Sequence, residues 1–360
     1  MNAVYANYDM MLIMSLQLLA VQTTLLNETD NPGNDLSPEM KTYYDMTLLD
    51  EAGPELVHAQ FGQKRPIPKG KGKTIEFRKF TSLPKATTAL TEGVTPSGNS
   101  LDVTAITATV SQYGDYIVMS DLLELTALDS IIIETTKLLG KQAGRTLDTV
   151  VRNKLVGGTN VNYSSTWSGT TETKVNARTS MNATSTLKVE DVRRAVTKLK
   201  GYNAPTINGD YVAIIHPFVA YDLMKDPEWV NAHQYAQPDE IYEGEIGKIA
   251  GCRFVETTEA KIWNDSTCPT KTAGSGGVDP VYYSVFATLF MGANAYGVTE
   301  VTGGGLQTIV KQKGSAGTAD PLDQRSSVGW KATQTAEILL GEYIIRHEST
   351  CSFNDTAAAN

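Results

Sequence analysis

The chain has 360 residues, of which 41% are apolar and 20% charged, with 31 Lys+Arg against 40 Asp+Glu and a net charge of -9. That balance excludes a disordered polymer, a collagen-like repeat and a coiled coil. The acidic excess argues against a sequence reader of nucleic acid, which needs a basic face for phosphates. Cys252, Cys268 and Cys351 are odd in number and form no CxxC pair. A disulfide scaffold and a cysteine-rich zinc site are therefore disfavoured, and scattered thiols fit a reducing compartment.

The chain opens with an apolar run, MMLIMSLQLLAVQTTLL, from Met10 to Leu26. No Lys or Arg precedes it, so the basic region of an export signal is missing, and Gln17 and Gln22 interrupt it. It reads as an arm or an amphipathic helix seeking a partner. Ser37-Pro38 is a helix-start signal, and a helical stretch follows from about Glu39 to Phe61.

Residues 64–79 are unlike the rest. Lys64, Arg65, Lys69, Lys71, Lys73, Arg78 and Lys79 face one carboxylate, Glu76, which leaves +6. From Thr74 the text TIEFRKF alternates as a strand does. A turn-rich stretch follows over 81–100, and β-branched and aromatic residues return in Leu101–Met119. Residues 73–119 thus read as a long two-stranded excursion, which would be marginal in water without something to lie on. The basic cluster has three readings: an electrostatic clamp onto a neighbouring copy, a nucleic-acid patch, or solvated surface. The clamp fits the charge asymmetry best, because the stretch lacks the interleaved aromatics of a stacking platform.

A long helix capped by Ser120 is expected next, with an apolar face of Leu125, Leu128, Ile132, Leu139, Ala143, Leu147 and Val150 and a break near Asp129. Gly140 and Gly144 inside it point to close packing of another backbone. Residues 159–186 read as a loop or exposed hairpin, and a second helix covers about Leu187 to Lys200. Residues 205–298 read as a mixed α/β unit containing the buried strand YVAII, Tyr211–Ile215. Strands return after Gly297, and the tail Ser352–Asn360 is expected to fray.

Catalytic chemistry is hard to find. PKGKGKT, Pro68–Thr74, ends like a phosphate-binding loop, but Ile67 stands where its first glycine belongs and a strand follows. GGGL at 303–306 lacks the last glycine of a dinucleotide fingerprint, and no GxSxG occurs. The histidines, His58, His216, His233 and His347, show no metal-ligand spacing. His216 is the best single site candidate, but a structural, hydrogen-bonded histidine is the better account. Glu240, Glu243 and Glu245 read as a solvated acidic face. Five Asn-X-Ser/Thr triplets, from Asn27 to Asn354, suit chance in a chain this rich in these residues. No enzyme, cofactor or metal is expected.

The strings YVAIIHPFVAYDLMKDPEW, GEIGKIAGCRFVETTEAKIW and GKTIEFRKFTSLPKATTALTEG resemble the major capsid proteins of tailed bacteriophages, of the Hong Kong 97-type fold, and most of all the subfamily typified by phage N4. The resemblance covers about residues 40–350. It implies an α+β chain with an N-terminal arm (1–63), an extended loop (64–119), a peripheral domain with its spine helix (120–204, completed by return strands 299–350), an axial domain (205–298) and a tail (351–360). It implies hexamers and pentamers of the chain in an icosahedral virion capsid around double-stranded DNA, assembled in the bacterial cytoplasm. It further implies a portal partner, and scaffold or decoration proteins in some relatives, with weak, non-specific DNA contact and no membrane. Contacts between subunits are expected at Lys64, Arg65, Lys71, Lys73, Arg78 and Lys79. The rival reading is an exported surface binding or adhesion module, suggested by the Asn/Ser/Thr-rich segment and the apolar N-terminus.

Overall fold

The computed structural model describes residues 38–53, 56–80, 83, 85–90, 92–93, 95, 98–126, 131–230, 245–272, 280–315 and 320–360. The expected apolar arm, His233, Glu240 and Glu243 lie outside these residues. In chain order the first half contains α1 (Pro38–Ala52), β1 (Gln63–Lys64), β2 (Thr74–Phe80), β3 (Val103–Thr109), β4 (Ser111–Ser120), α2 (Asp121–Thr126), α3 (Ile131–Val156), β5 (Val161–Tyr163), β6 (Thr166–Ser168), β7 (Thr171–Thr173) and α4 (Val189–Gly201). The second half contains β8 (Tyr211–Ile215), α5 (Pro217–Met224), β9 (Glu245–Ile249), β10 (Cys252–Glu256), β11 (Ile262–Trp263), β12 (Thr270–Thr272), β13 (Val281–Tyr282), β14 (Val285–Met291), β15 (Tyr296–Thr299), β16 (Gln307–Lys311), β17 (Arg325–Ile338) and β18 (Ile344–Ser349).

These elements form two compact units. The first comprises the described residues up to Gly53 with Tyr113–Gly144 and Leu306–Ala332, and the second comprises Pro54–Gln112, Arg145–Gly305 and Thr333–Asn360.

In the first unit β16 pairs antiparallel with the early part of β17, from Gln307↔Lys331 to Lys311↔Ser327, and β4 also pairs β17. Two glycines let these backbones approach. A Cβ on Gly114 would lie 2.6 Å from the Trp330 carbonyl oxygen, and one on Gly329 would lie 2.9 Å from that of Asp115. The Trp330 indole donates to Gln142 Oε1 at 3.2 Å, and Gln142 Nε2 donates to Asp115 at 2.6 Å. Helix α3 crosses against α1 at Gly140, where a Cβ would meet the Leu48 carbonyl oxygen at 2.9 Å. Close backbone packing at that glycine matches its sequence reading.

In the second unit a seven-stranded sheet runs β5-β18-β14-β8-β10-β9, with β11 on β14. All five residues of β8 are buried, as a continuous apolar strand at a sheet centre should be. Helix α4 lays Val189, Val192, Val196 and Leu199 into the core with Phe254, Phe286, Phe290 and Ile345. β18 pairs with β14 over six residues, Phe286↔Ser349 to Met291↔Ile344, so a segment read as a return strand completes the α/β sheet. One core therefore draws on segments either side of positions 204 and 298.

Three expectations change. The strand read over Leu101–Met119 divides at Val110, whose buried N–H donates to the Lys73 carbonyl at 2.9 Å. Pairing with β2 ends there, at Thr74↔Thr109, and β4 leaves to join β17. The helix starting at Pro38 stops at Ala52, short of Phe61. The tail is docked, not frayed. Asp222 accepts from the Ser352 N–H at 2.7 Å and from its hydroxyl. The Ala357 carbonyl accepts from Ser284 Oγ and Asn264 Nδ2, and Asn360 bonds Ile262 and Ala260. These bonds run through backbone carbonyls and short polar side chains, which leave no apolar pattern to read.

Candidate inter-subunit surface

The basic stretch forms the root of the β2–β3 hairpin, and its backbone is firmly held. β1 lies parallel to β15, Arg65 N–H donates to the Val298 carbonyl at 3.1 Å, and Ile67 N–H to that of Glu300 at 2.7 Å. Ile67 and Phe77 are buried anchors. The Phe77 ring fills the space over Gly297, where a Cβ would lie 2.7 Å away. Gly70 (φ 81°) and Gly72 (φ 87°) take left-handed turns open to any side chain only at a conformational cost. PKGKGKT is thus a turn leading into a strand, without the helix N-terminus a phosphate loop needs.

The held backbone presents its charges outward. Lys64, Arg65, Lys69, Lys71, Lys73 and Arg78 are exposed and Lys79 half-buried. Among the described residues only Arg78 of the seven meets a carboxylate, Glu76 at 3.6 Å. Arg65 lies 5.8 Å over the Phe77 ring, which orients its guanidinium. Exposed ion pairs are worth only ~0–1 kcal/mol each, so charges so placed act chiefly through their longer-range field.

Beside Arg65, Arg78 and Lys79 lies a groove of about 670 Å3, floored by Phe77, Ile106, Leu339, Leu340 and Tyr343. Lys64, Lys71 and Lys73 do not line it. Sequence reasoning missed this groove because Leu339–Tyr343 approaches the root from far along the chain.

A second surface was also missed. In the first unit Tyr116, Leu122 and Leu125 are each more than 65% exposed, and Ile117, Val118 and Leu123 are exposed beside them in sequence. Leu125, expected on the inner face of the long helix, belongs to the separate helix α2, capped by Ser120 Oγ accepting from Leu123 N–H at 3.3 Å. The inner face proper is Leu139, Ala143, Leu147, Val151 and Leu155. Exposed large apolar side chains so close together along the chain make this stretch a candidate interaction surface.

The remaining candidates are structural. His216 is buried, accepts from Phe218 N–H at 3.1 Å and caps α5. Burial pushes its imidazole down to about 4, so it is neutral near pH 7. A network of Ser164, His347 and Asp191 sits beside α4, with Ser164 Oγ 2.8 Å from His347 Nε2 and 3.3 Å from Asp191. Burial pushes Asp191 up to about 6 and His347 down to about 4. Bidentate hydrogen bonds from Arg194 hold Glu172 at about 2. The three cysteines are free and buried. Among the described residues no His/Cys/Asp/Glu group could hold a metal, and no helix is long and apolar enough to cross a membrane.

A family model described as phage capsid protein matches residues 103–339. No curated protein matches the chain. Several solved structures do. The capsid of the cyanophage P-SCSP1u has a TM-score of 0.58 at 16% identity, covering 82% of this chain and 89% of that one. The capsid of Ralstonia phage GP4 scores 0.57 at 14%, covering 82% and 88%. The cyanophage Pam1 capsid scores 0.57 at 13%, covering 91% and 96%. At such identities the likeness is one of fold.

Proposed function

Since the chain belongs to the phage capsid protein family and is a structural subunit of a phage shell with the Hong Kong 97-type α+β fold, we propose that it assembles as hexamers and pentamers into an icosahedral capsid. That capsid encloses the double-stranded DNA of a tailed phage and is built in the bacterial cytoplasm. The family match replaces the rival reading as an exported adhesion module. The three long strings quoted above support placement in the subfamily typified by phage N4. The proposed division keeps residues 64–119 as the extended loop, 120–204 with 299–350 as the peripheral domain, 205–298 as the axial domain and 351–360 as the tail. The N-terminal arm, 1–63, meets a neighbour. A portal closes one vertex, and scaffold or decoration proteins are further partners.

One observation carries the inter-subunit reading. A rigidly anchored root exposes six cations at the base of a hairpin, and the hairpin's distal apolar residues are uncovered. Lys64, Arg65, Lys71, Lys73, Arg78 and Lys79 serve as a clamp on an acidic neighbour. The net charge of -9, with positive residues gathered at this root, favours weak, non-specific contact with packaged DNA. Each specific interface should bury more than ~1,000 Å2.

The test is the triple reversal Lys71→Glu, Lys73→Glu and Arg78→Glu. Electron microscopy should show particles lost while circular dichroism shows the subunit folded. Normal particles from that variant would refute the clamp.

A further inference from the structure

We propose that a cavity beside helix α4 binds a small phosphate monoester, its phosphate on Lys174 and Lys198 and its polar body towards His347. The cavity has a volume of about 370 Å3, the size of a small-molecule site, and lies wholly within the second unit. It belongs to the single chain, so nothing about it depends on assembly of the shell.

Three parts of the chain build the walls. Asp191, Arg194 and Lys198 recur at helical spacing along α4, which puts them on one stripe beside the helix's apolar face. Asn162 comes from the edge strand β5, which runs parallel to β18 with Asn162 opposite His347. Lys174 and Asn176 follow β7. Of the charged groups that line the cavity, Arg194 and Asp191 compensate each other. They approach to 3.7 Å, and Arg194 also holds Glu172 through two hydrogen bonds. Lys174 and Lys198 have no carboxylate within ion-pair distance among the described residues. Lys198 is half-buried, and burial pushes its ammonium below the ordinary lysine range. A half-buried ammonium without a counter-ion is stabilised by an anion that reaches it.

The chemistry of the walls selects the ligand. Two uncompensated cations suit a dianion, and a phosphate monoester carries about two negative charges on three acceptor oxygens. Lys198 Nζ donates to Asn162 Oδ1 at 2.9 Å, which orients the Asn162 amide and leaves its N–H groups as donors. Asn176 adds a second amide to the wall. A bare phosphate, a few times the ~30 Å3 of a water molecule, would leave most of the cavity to a carbon body. The Ser164 hydroxyl donates to Asp191 at 3.3 Å, so His347 Nε2, 2.8 Å from Ser164 Oγ, carries the ring proton. His347 Nδ1 is then a bare acceptor, buried and without a partner among the described residues. His347 lines the cavity, so a hydroxyl on the ligand's body would supply the missing donor.

Titration calorimetry of the full-length chain with glycerol 3-phosphate, against potassium chloride of equal ionic strength, tests the site. Saturable binding is expected, tighter than that of inorganic phosphate. Lys174→Gln with Lys198→Gln should weaken it by at least about tenfold, since charge-assisted contacts to the phosphate are lost. Lys200→Gln makes the same charge change on the same helix outside the cavity and should leave the affinity within about twofold. Should the double variant fail to fold, Lys174→Glu, at an exposed position, reads the same contact and should abolish binding. No saturable heat from the wild type, equal affinity for inorganic phosphate, or a cavity variant that binds as the wild type does would each overturn the site.

Discussion

Glycine roles separate cleanly at the scale of single residues. A methyl group on Gly140 would press on the Leu48 backbone, whereas Gly201, the last residue of α4, has nothing within 4 Å of its would-be Cβ. Gly140→Ala should lose about 1–3 kcal/mol of stability, since overpacking against backbone outweighs the better helix propensity. Gly201→Ala should gain about 0.5 kcal/mol. Thermal unfolding of the two variants checks both signs. Three buried groups contribute to the pH response between pH 6.5 and 4. As pH falls from 6.5 towards 4, the unfolded chain protonates His216 and His347, which the folded chain keeps neutral, and stability is lost. Over about pH 6 to 3.8 the folded chain protonates Asp191 before the unfolded chain does, which offsets one histidine. The net slope is a loss of up to ~1.4 kcal/mol per pH unit on acidification. Denaturant midpoints at pH 6.5 and 4.5 measure it, and Asp191→Asn should steepen it. A flat profile would contradict the burial of these groups.

Among the elements, the tail differs most from expectation. Its last residues bind by hydrogen bonds to Asp222, Ser284, Asn264, Ile262 and Ala260. Deleting Ser352–Asn360 should lower stability by about 2–4 kcal/mol, because the buried Asp222 carboxylate and Ser284 hydroxyl lose their partners. A melting temperature unchanged by the deletion would show the tail to be ornamental. Strand β4 is equally instructive. Its β-branched and aromatic content was legible, but a strand's text does not say which strand it pairs. Val110 and the Gly114–Trp330 approach turned it from the hairpin to β17.

Across the whole molecule, uncovered apolar side chains stand in each unit: Tyr116–Leu125 in the first and the hairpin's distal leucines in the second. A subunit that finishes folding against its neighbours has this surface; a solitary protein rarely does. Leu122→Ser, Leu123→Ser and Leu125→Ser together should leave far-ultraviolet dichroism intact while reducing particle yield. Each leucine fully buried at an interface is worth about 1.5–3 kcal/mol. Particle yields matching the wild type would remove this face from the assembly.

The residues alone determined local matters. Pro38 began a helix, TIEFRKF became a strand, YVAII became a buried central strand, Ser120 capped α2, and Gly140 marked a backbone crossing. Each rests on short-range sterics, periodicity or capping, which the chain carries in its own order. The charged root was legible for the same reason, as seven cations crowd sixteen positions. Tertiary structure decided what needs distant partners. It placed β18 beside β14, gave the tail its carboxylate at Asp222, and brought Leu339–Tyr343 to Arg65 to make a groove. Such pairings depend on shape and hydrogen bonds closed across some fifty to almost three hundred residues, and neither property is written in a local pattern.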